Sequence, residues 1–257
     1  HKTAFLAPVA LLAAGGVTLS AWLMTEGTLP GELWPGEATG VTEITVPAET
    51  LPDTGETPTG AEETPSGQTP ESDRFVLSFA GDCTLGAEHT AWDKAGNFPD
   101  VVGDDYTYPF SGVREVFSRD DFTFVNLEGA LTDYNVPAEK LFRFRGPPAY
   151  GQILALGSVE GVTLANNHTL DYGKTGLADT RKILESLGIA AGGDGETFLY
   201  TTDRGLRVGV YTAYHIGKQG IRQAISSLQE QGAEVIVAAF HAGTEGAYQP
   251  TAFQRQM

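Results

Sequence analysis

Leu164-Ala165-Asn166-Asn167-His168-Thr169-Leu170-Asp171-Tyr172-Gly173 is the stretch on which the reading of this chain turns. The run before it, Val162-Thr163-Leu164-Ala165, has the composition of a short buried strand, and a helical pattern continues from Lys174 to Leu187. Two amides, an imidazole and a carboxylate therefore stand at the carboxyl end of a strand, where open α/β sheets bind ligands. Asn suits strands poorly and is costly to bury unpaired, which argues for a site. The competing reading is an ordinary turn, because Asn-Asn-His adopts αL readily and can cap the next helix.

Outward from this stretch the same arrangement recurs. Phe75–Ala80 reads as a strand running into Gly81-Asp82-Cys83, and Phe122–Val125 as one running into Asn126-Leu127-Glu128-Gly129. Glu234–Phe240 leads into His241-Ala242-Gly243-Thr244-Glu245-Gly246, a Gly-rich segment whose backbone can approach a ligand closely. Further strands are expected at Leu141–Phe144 and Arg207–Ala213. Helices are expected around Val113–Phe117, Tyr150–Leu156 and Ile221–Gln231, and the Lys174–Leu187 helix stops at Gly188. Strands alternating with helices predict an α/β fold with a mostly parallel sheet covered on both faces.

Taken singly, Asp82 reads as a cap or turn residue, Glu128 as a solvated loop charge and His241 as a structural histidine. Together they occupy one position of the β-α unit, which chance would not favour. Asp, Glu, Asn and His supply the oxygen and nitrogen donors that suit Mn, Fe or Zn. A bridging carboxylate can hold two such cations ~3.5–4 Å apart and activate a water. The single Cys83 excludes a Cys-based structural zinc site and an internal disulfide, and it reads as packing. Arg143 and Arg145 alternate with Phe142 and Phe144, so in a strand both guanidinium groups face one side and can read phosphate or carboxylate. A solvated strand face with Phe packed behind it is the plainer account of the same pattern.

The 257 residues carry a formal net charge of -17, which argues against nucleic acid as a partner. That charge is unevenly placed. Residues 26–73 hold eleven acids and no Lys or Arg in a Pro, Thr, Gly and Glu composition, the signature of a disordered, extended tether. Ahead of it, Ala4–Met24 is an apolar run behind Lys2, long enough for a single membrane span, with a cleaved signal peptide as the competing reading. Positive-inside bias then places everything after it outside the cell. The expected organisation is a transmembrane signal-anchor over 1–25, a linker over 26–73 and a folded domain over 74–257.

Phe79-Ala80-Gly81-Asp82, Val125-Asn126-Leu127-Glu128-Gly129, Leu164-Ala165-Asn166-Asn167-His168 with Asp171-Tyr172-Gly173, and His241-Ala242-Gly243-Thr244-Glu245 together resemble the CapA family of bacterial capsule synthesis proteins, which includes the poly-γ-glutamate capsule proteins. The resemblance runs from about Phe75 to the end. The family is similar to calcineurin-like metallophosphoesterases, so it implies a β-sandwich flanked by helices. It also implies that Asp82, Glu128, Asn167 and His241 resemble metal ligands, that His168 resembles a proton donor and that Asp171 resembles its orienting partner. Asn126, Asn166, Arg143 and Arg145 would then face substrate. Ala242 stands where the family usually has Trp, and the family's later Gly-His-x-x-His element has no counterpart before Met257, so the domain is expected to be shortened at its C-terminus.

Three functions are expected from these features. The first is a metal-dependent hydrolase or transferase acting on an anionic capsule or cell-wall polymer outside the membrane. The second is a non-catalytic component that holds or exports such a polymer beside other capsule synthase subunits. The third is a phosphoesterase for small molecules.

Overall fold

A computed structural model describes residues 7–11, 18–25, 74–245 and 247–256. Four strands form an all-parallel sheet in the order β3 (Leu77–Cys83), β5 (Phe122–Leu127), β8 (Gly161–Thr163), β9 (Ala190–Gly192). A second sheet has the order β1 (Ala7–Leu11), β2 (Thr18–Thr25), β12 (Val235–Ala242), β11 (Arg207–Ala213), β10 (Glu196–Thr201). Here only β11 and β12 run parallel. A small third sheet joins β4 (Ala87–Glu88), β7 (Phe144–Gly146) and β6 (Ala130–Leu131).

The period-two alternation of the long strands builds the layers. From β5, Phe122 and Phe124 point into a cluster with Val208, Val210, Val235, Val237 and Ala239 of the second sheet. Val125 and Leu127, on the other face of β5, join Ile153, Leu154 and Leu184, which lie on α3 (Gly151–Leu156) and α4 (Gly173–Ser186). Two shorter helices, α1 (Phe98–Val102) and α2 (Arg114–Phe117), add Val102 and Phe117 to the same cluster. Ile236, Ala238 and Phe240 of β12 face outward against Ala224 and Leu228 of α5 (Lys218–Glu230). The result is two facing sheets with helices on both outer sides. The mostly parallel sheet expected from strand–helix alternation is one layer of this pair, and the second layer is mixed, with β10 returning antiparallel on β11 through a tight turn at Asp203–Gly205.

Other expectations shift by a few residues. The strand expected at Leu141–Phe144 begins only at Phe144, and Leu141, 79% exposed, lies in the preceding loop. The Lys174–Leu187 helix forms over Gly173–Ser186, and Gly188 takes φ 73° just beyond it, a left-handed turn that glycine adopts without a Cβ clash. Of the run expected to be a membrane anchor, the described parts are β1 and β2, an antiparallel hairpin whose second strand pairs with β12. The 26–73 linker lies outside the described residues. Among the described residues no helix is long and apolar enough to cross a membrane.

Candidate functional site

Side-chain direction explains why distant residues meet. Asn126 lies on the same face of β5 as Phe122 and Phe124, and His241 on the same face of β12 as Val235, Val237 and Ala239, so both point between the sheets. Simple alternation from Leu77 and Phe79 would send Asp82 to the opposite face. A register shift between Phe79 and Asp82 adds one residue to β3, so that Phe79 pairs with Phe124 but Asp82 pairs with Asn126. One extra residue reverses the facing of every residue beyond it, and this bulge turns Asp82 toward the other sheet.

The convergence is direct. Asn126 Nδ2 donates to Asp82 Oδ1 over 2.7 Å and lies 3.2 Å from His241 Nδ1, while His241 Nδ1 and Asp82 Oδ1 are 3.9 Å apart. Asn166 Nδ2 donates to Asn126 Oδ1 at 2.9 Å and to the Leu127 carbonyl at 3.0 Å. Asn166 Oδ1 accepts from the His168 backbone N–H at 2.9 Å, which sets the turn that presents the imidazole. His168 Nδ1 is 2.7 Å from Asp171 Oδ2, and its Nε2 lies 3.8 Å from Glu128 Oε1. Phe144 packs its ring on that of His168, centroids 4.6 Å apart, and donates its backbone N–H to Asp171 Oδ2 at 2.6 Å.

Burial and like charge set the electrostatics. Desolvation first, and the Asp82 carboxylate second, push Glu128 up to about 7. Burial pulls His241 below the usual imidazole range, against the opposing pull of Asp82. Burial, with Asp82 beside it, pushes the Cys83 thiol up to about 12, which suits an inert packing residue.

Asp82, Asn126, Glu128, Asn166, His168, Asp171 and His241 are thus brought to one place. Asn167 is next to them but exposed, with its backbone carbonyl accepting from Lys140. Arg143 precedes β7 and Arg145 lies within it, each already engaged: Arg143 pairs with Glu88 at 3.0 Å, and Arg145 donates to the Thr132 carbonyl and lies over the rings of Trp92 and Tyr172. The Nε atoms of both arginines are buried without a hydrogen-bond partner. Sequence reasoning missed Lys140, the Phe144 amide and Tyr214, whose ring lies 5.9 Å from that of His241. Lys140 and the Phe144 amide belong to no strand-end motif, so no local signal marked them, whereas Tyr214 directly follows the strand expected at Arg207–Ala213 and the strand-end rule could have found it.

The donor set fits a divalent cation in kind, with two carboxylates and two imidazoles, and a cation would relieve the crowding of Asp82 and Glu128. In this arrangement the groups stand as the pairs Asp82–His241 and Glu128–His168, and among the described residues no three of His, Cys, Asp or Glu form a metal-sized cluster.

No curated protein matches the chain. The model of one family, described as bacterial capsule synthesis protein PGA_cap, matches residues 76–257, the whole span from the first strand of the parallel sheet through His241 and beyond. With the strand-end motifs and this match in agreement, the chain belongs to that bacterial capsule synthesis family, the one its CapA-like motifs resemble.

Proposed function

We propose that this protein is a metallophosphoesterase-like hydrolase or transferase that acts on an anionic capsule or cell-wall polymer of the poly-γ-glutamate kind, outside the membrane. The observation that carries the reading is the meeting of Asp82, Asn126 and His241 at one sheet end, beside the Glu128–His168–Asp171 chain. Asp82, Glu128, Asn167 and His241 would hold one or two divalent cations of Mn, Fe or Zn type, which when bound supply polarisation of a phosphoryl or acyl oxygen and an activated water. Asp171 fixes the His168 ring through Nδ1, so that Nε2, when the ring carries a second proton there, gives it to a leaving-group oxygen. Arg143 and Arg145 supply positive charge for the anionic groups of the substrate. The Asn126 and Asn166 amides, expected to face substrate, are instead engaged with each other, with Asp82 and with the Leu127 carbonyl, and hold the frame of the site.

Metal uptake by the purified chain tests this. Incubation with Mn²⁺ or Zn²⁺ and then elemental analysis should give bound metal in the wild type and less in Asn167→Ala and Asp82→Asn. Absence of uptake would overturn the hydrolase reading and leave a polymer-holding component. Chelator-sensitive release of phosphate from simple esters, with no effect on polymer, would favour a small-molecule phosphoesterase.

The location outside a single-pass anchor belongs to the same proposal, supported by the length of the Ala4–Met24 run. Crossing lipid requires that run to be helical, an alternative to its pairing with β12. Sedimentation of the chain with membranes, resistant to high salt and carbonate, is the expected result.

A further inference from the structure

We infer that Lys140 is the positioning residue of the His168–Asp171 pair, setting which imidazole nitrogen faces the site. Lys140 lies in the loop between β6 and β7, outside every strand-end motif. Its Nζ donates to Asp171 Oδ1 at 2.6 Å and to the Asn167 carbonyl at 2.9 Å, and lies 3.4 Å from His168 Nδ1. The same loop is strapped to the same turn at two more points: Ala138 N–H donates to the Asp171 carbonyl at 2.8 Å, and Phe144 N–H to Asp171 Oδ2.

The Asp171 side chain is fully buried, and a buried carboxylate is costly without a cation and donors around it. Lys140 is that cation, and with the Phe144 amide and His168 it fills the carboxylate as acceptor. Two groups face His168 Nδ1, an ammonium at 3.4 Å and a carboxylate oxygen at 2.7 Å. The carboxylate is the nearer group and can only accept, so it decides the proton, and Lys140 acts by holding that carboxylate in place. Nδ1 carries the proton and donates to Asp171, and Nε2 is the nitrogen turned toward Glu128. An ordinary partly exposed ion pair would contribute little and leave the ring as it is.

The structural part of this inference stands apart from the hydrolase reading, and only its kinetic part rests on it. Side-chain ¹⁵N NMR of the whole chain, with the His168 signals assigned by their loss in His168→Asn, should show the proton on Nδ1 in the wild type. Lys140→Met should give a mixed tautomer or a broadened ring signal, and Lys140→Arg should retain the wild-type pattern. A bare Nδ1 in the wild type overturns the inference without any variant, as does a Lys140→Met spectrum identical to wild type. With 4-nitrophenyl phosphate and Mn²⁺, Lys140→Met should lower kcat by about tenfold or more, the usual size of a supporting-partner effect, with KM held within about twofold. A change in KM alone overturns the positioning role. Absence of hydrolysis in the wild type counts against the hydrolase reading, and the NMR result then decides the fate of Lys140.

Discussion

Asn166 Nδ2 donates to Asn126 Oδ1 over 2.9 Å, joining two buried amides 40 positions apart at the ends of neighbouring strands. Asn126 in turn reaches Asp82 and His241, so this one contact ties the Asn-Asn-His turn to both sheets.

The two adjacent asparagines should therefore behave differently. Asn166→Ala leaves Asn126 Oδ1, the Leu127 carbonyl and the His168 N–H short of partners. A loss of about 2–4 kcal/mol in denaturant unfolding is expected. Asn167→Ala, at an exposed side chain, should change stability by less than about 0.5 kcal/mol while lowering metal uptake. Equal destabilisation by both changes would contradict the arrangement.

Gly129 links the backbone to the imidazole. It holds φ 101°, and a Cβ there would stand 2.9 Å from Phe144 Cβ, the residue whose ring packs on His168. Gly129→Ala should cost about 2 kcal/mol from strain and displacement together. It should also shift the His168 ring resonances, which a remote destabilising change would leave in place.

Glu160 offers a pH test away from the site. It sits at the amino end of β8, beside a cleft of about 480 Å³ that Val76, Asp120, Tyr200 and Asp203 help to line. Burial pushes its carboxyl up to about 7, against the opposing hydrogen bond from the Thr123 amide. A raised carboxyl favours the protonated folded state, so its contribution is present at low pH and is lost as pH rises from about 4.5 through about 7. Discounted for solvent screening at a half-buried group, the loss is on the order of 1 kcal/mol. Glu160→Gln should be more stable than wild type at pH 8 and lose that advantage at pH 5, as measured by urea midpoints. A constant difference across that range would contradict the assignment.

The two arginines should also separate. Arg145, stacked over Trp92 and Tyr172, should cost about 1–3 kcal/mol on change to Ala. Arg143→Ala, which breaks one ion pair with Glu88, should cost about 1 kcal/mol or less. Its larger effect should be weaker, less salt-sensitive retention on immobilised polyglutamate; unchanged retention would remove Arg143 from the substrate contacts.

The edge of the sheets was legible in the residues alone to within a few positions. Apolar runs broken by Asp82, Asn126, Glu128, Asn166, His168 and His241 mark it, because periodicity and the cost of burying polar groups are local properties, although Asp82, Asn126 and His241 still lie within their strands. The direction in which those residues face was set by strand pairing in the folded chain. The extra residue between Phe79 and Asp82 reverses a facing that alternation would have assigned, and β10, absent from the expected strands, returns antiparallel on β11. The tertiary structure also decided that Lys140, unremarkable in its loop, sits on Asp171. Contacts of this kind depend on which loop crosses which turn, and the distance between partners along the chain carries no trace of that.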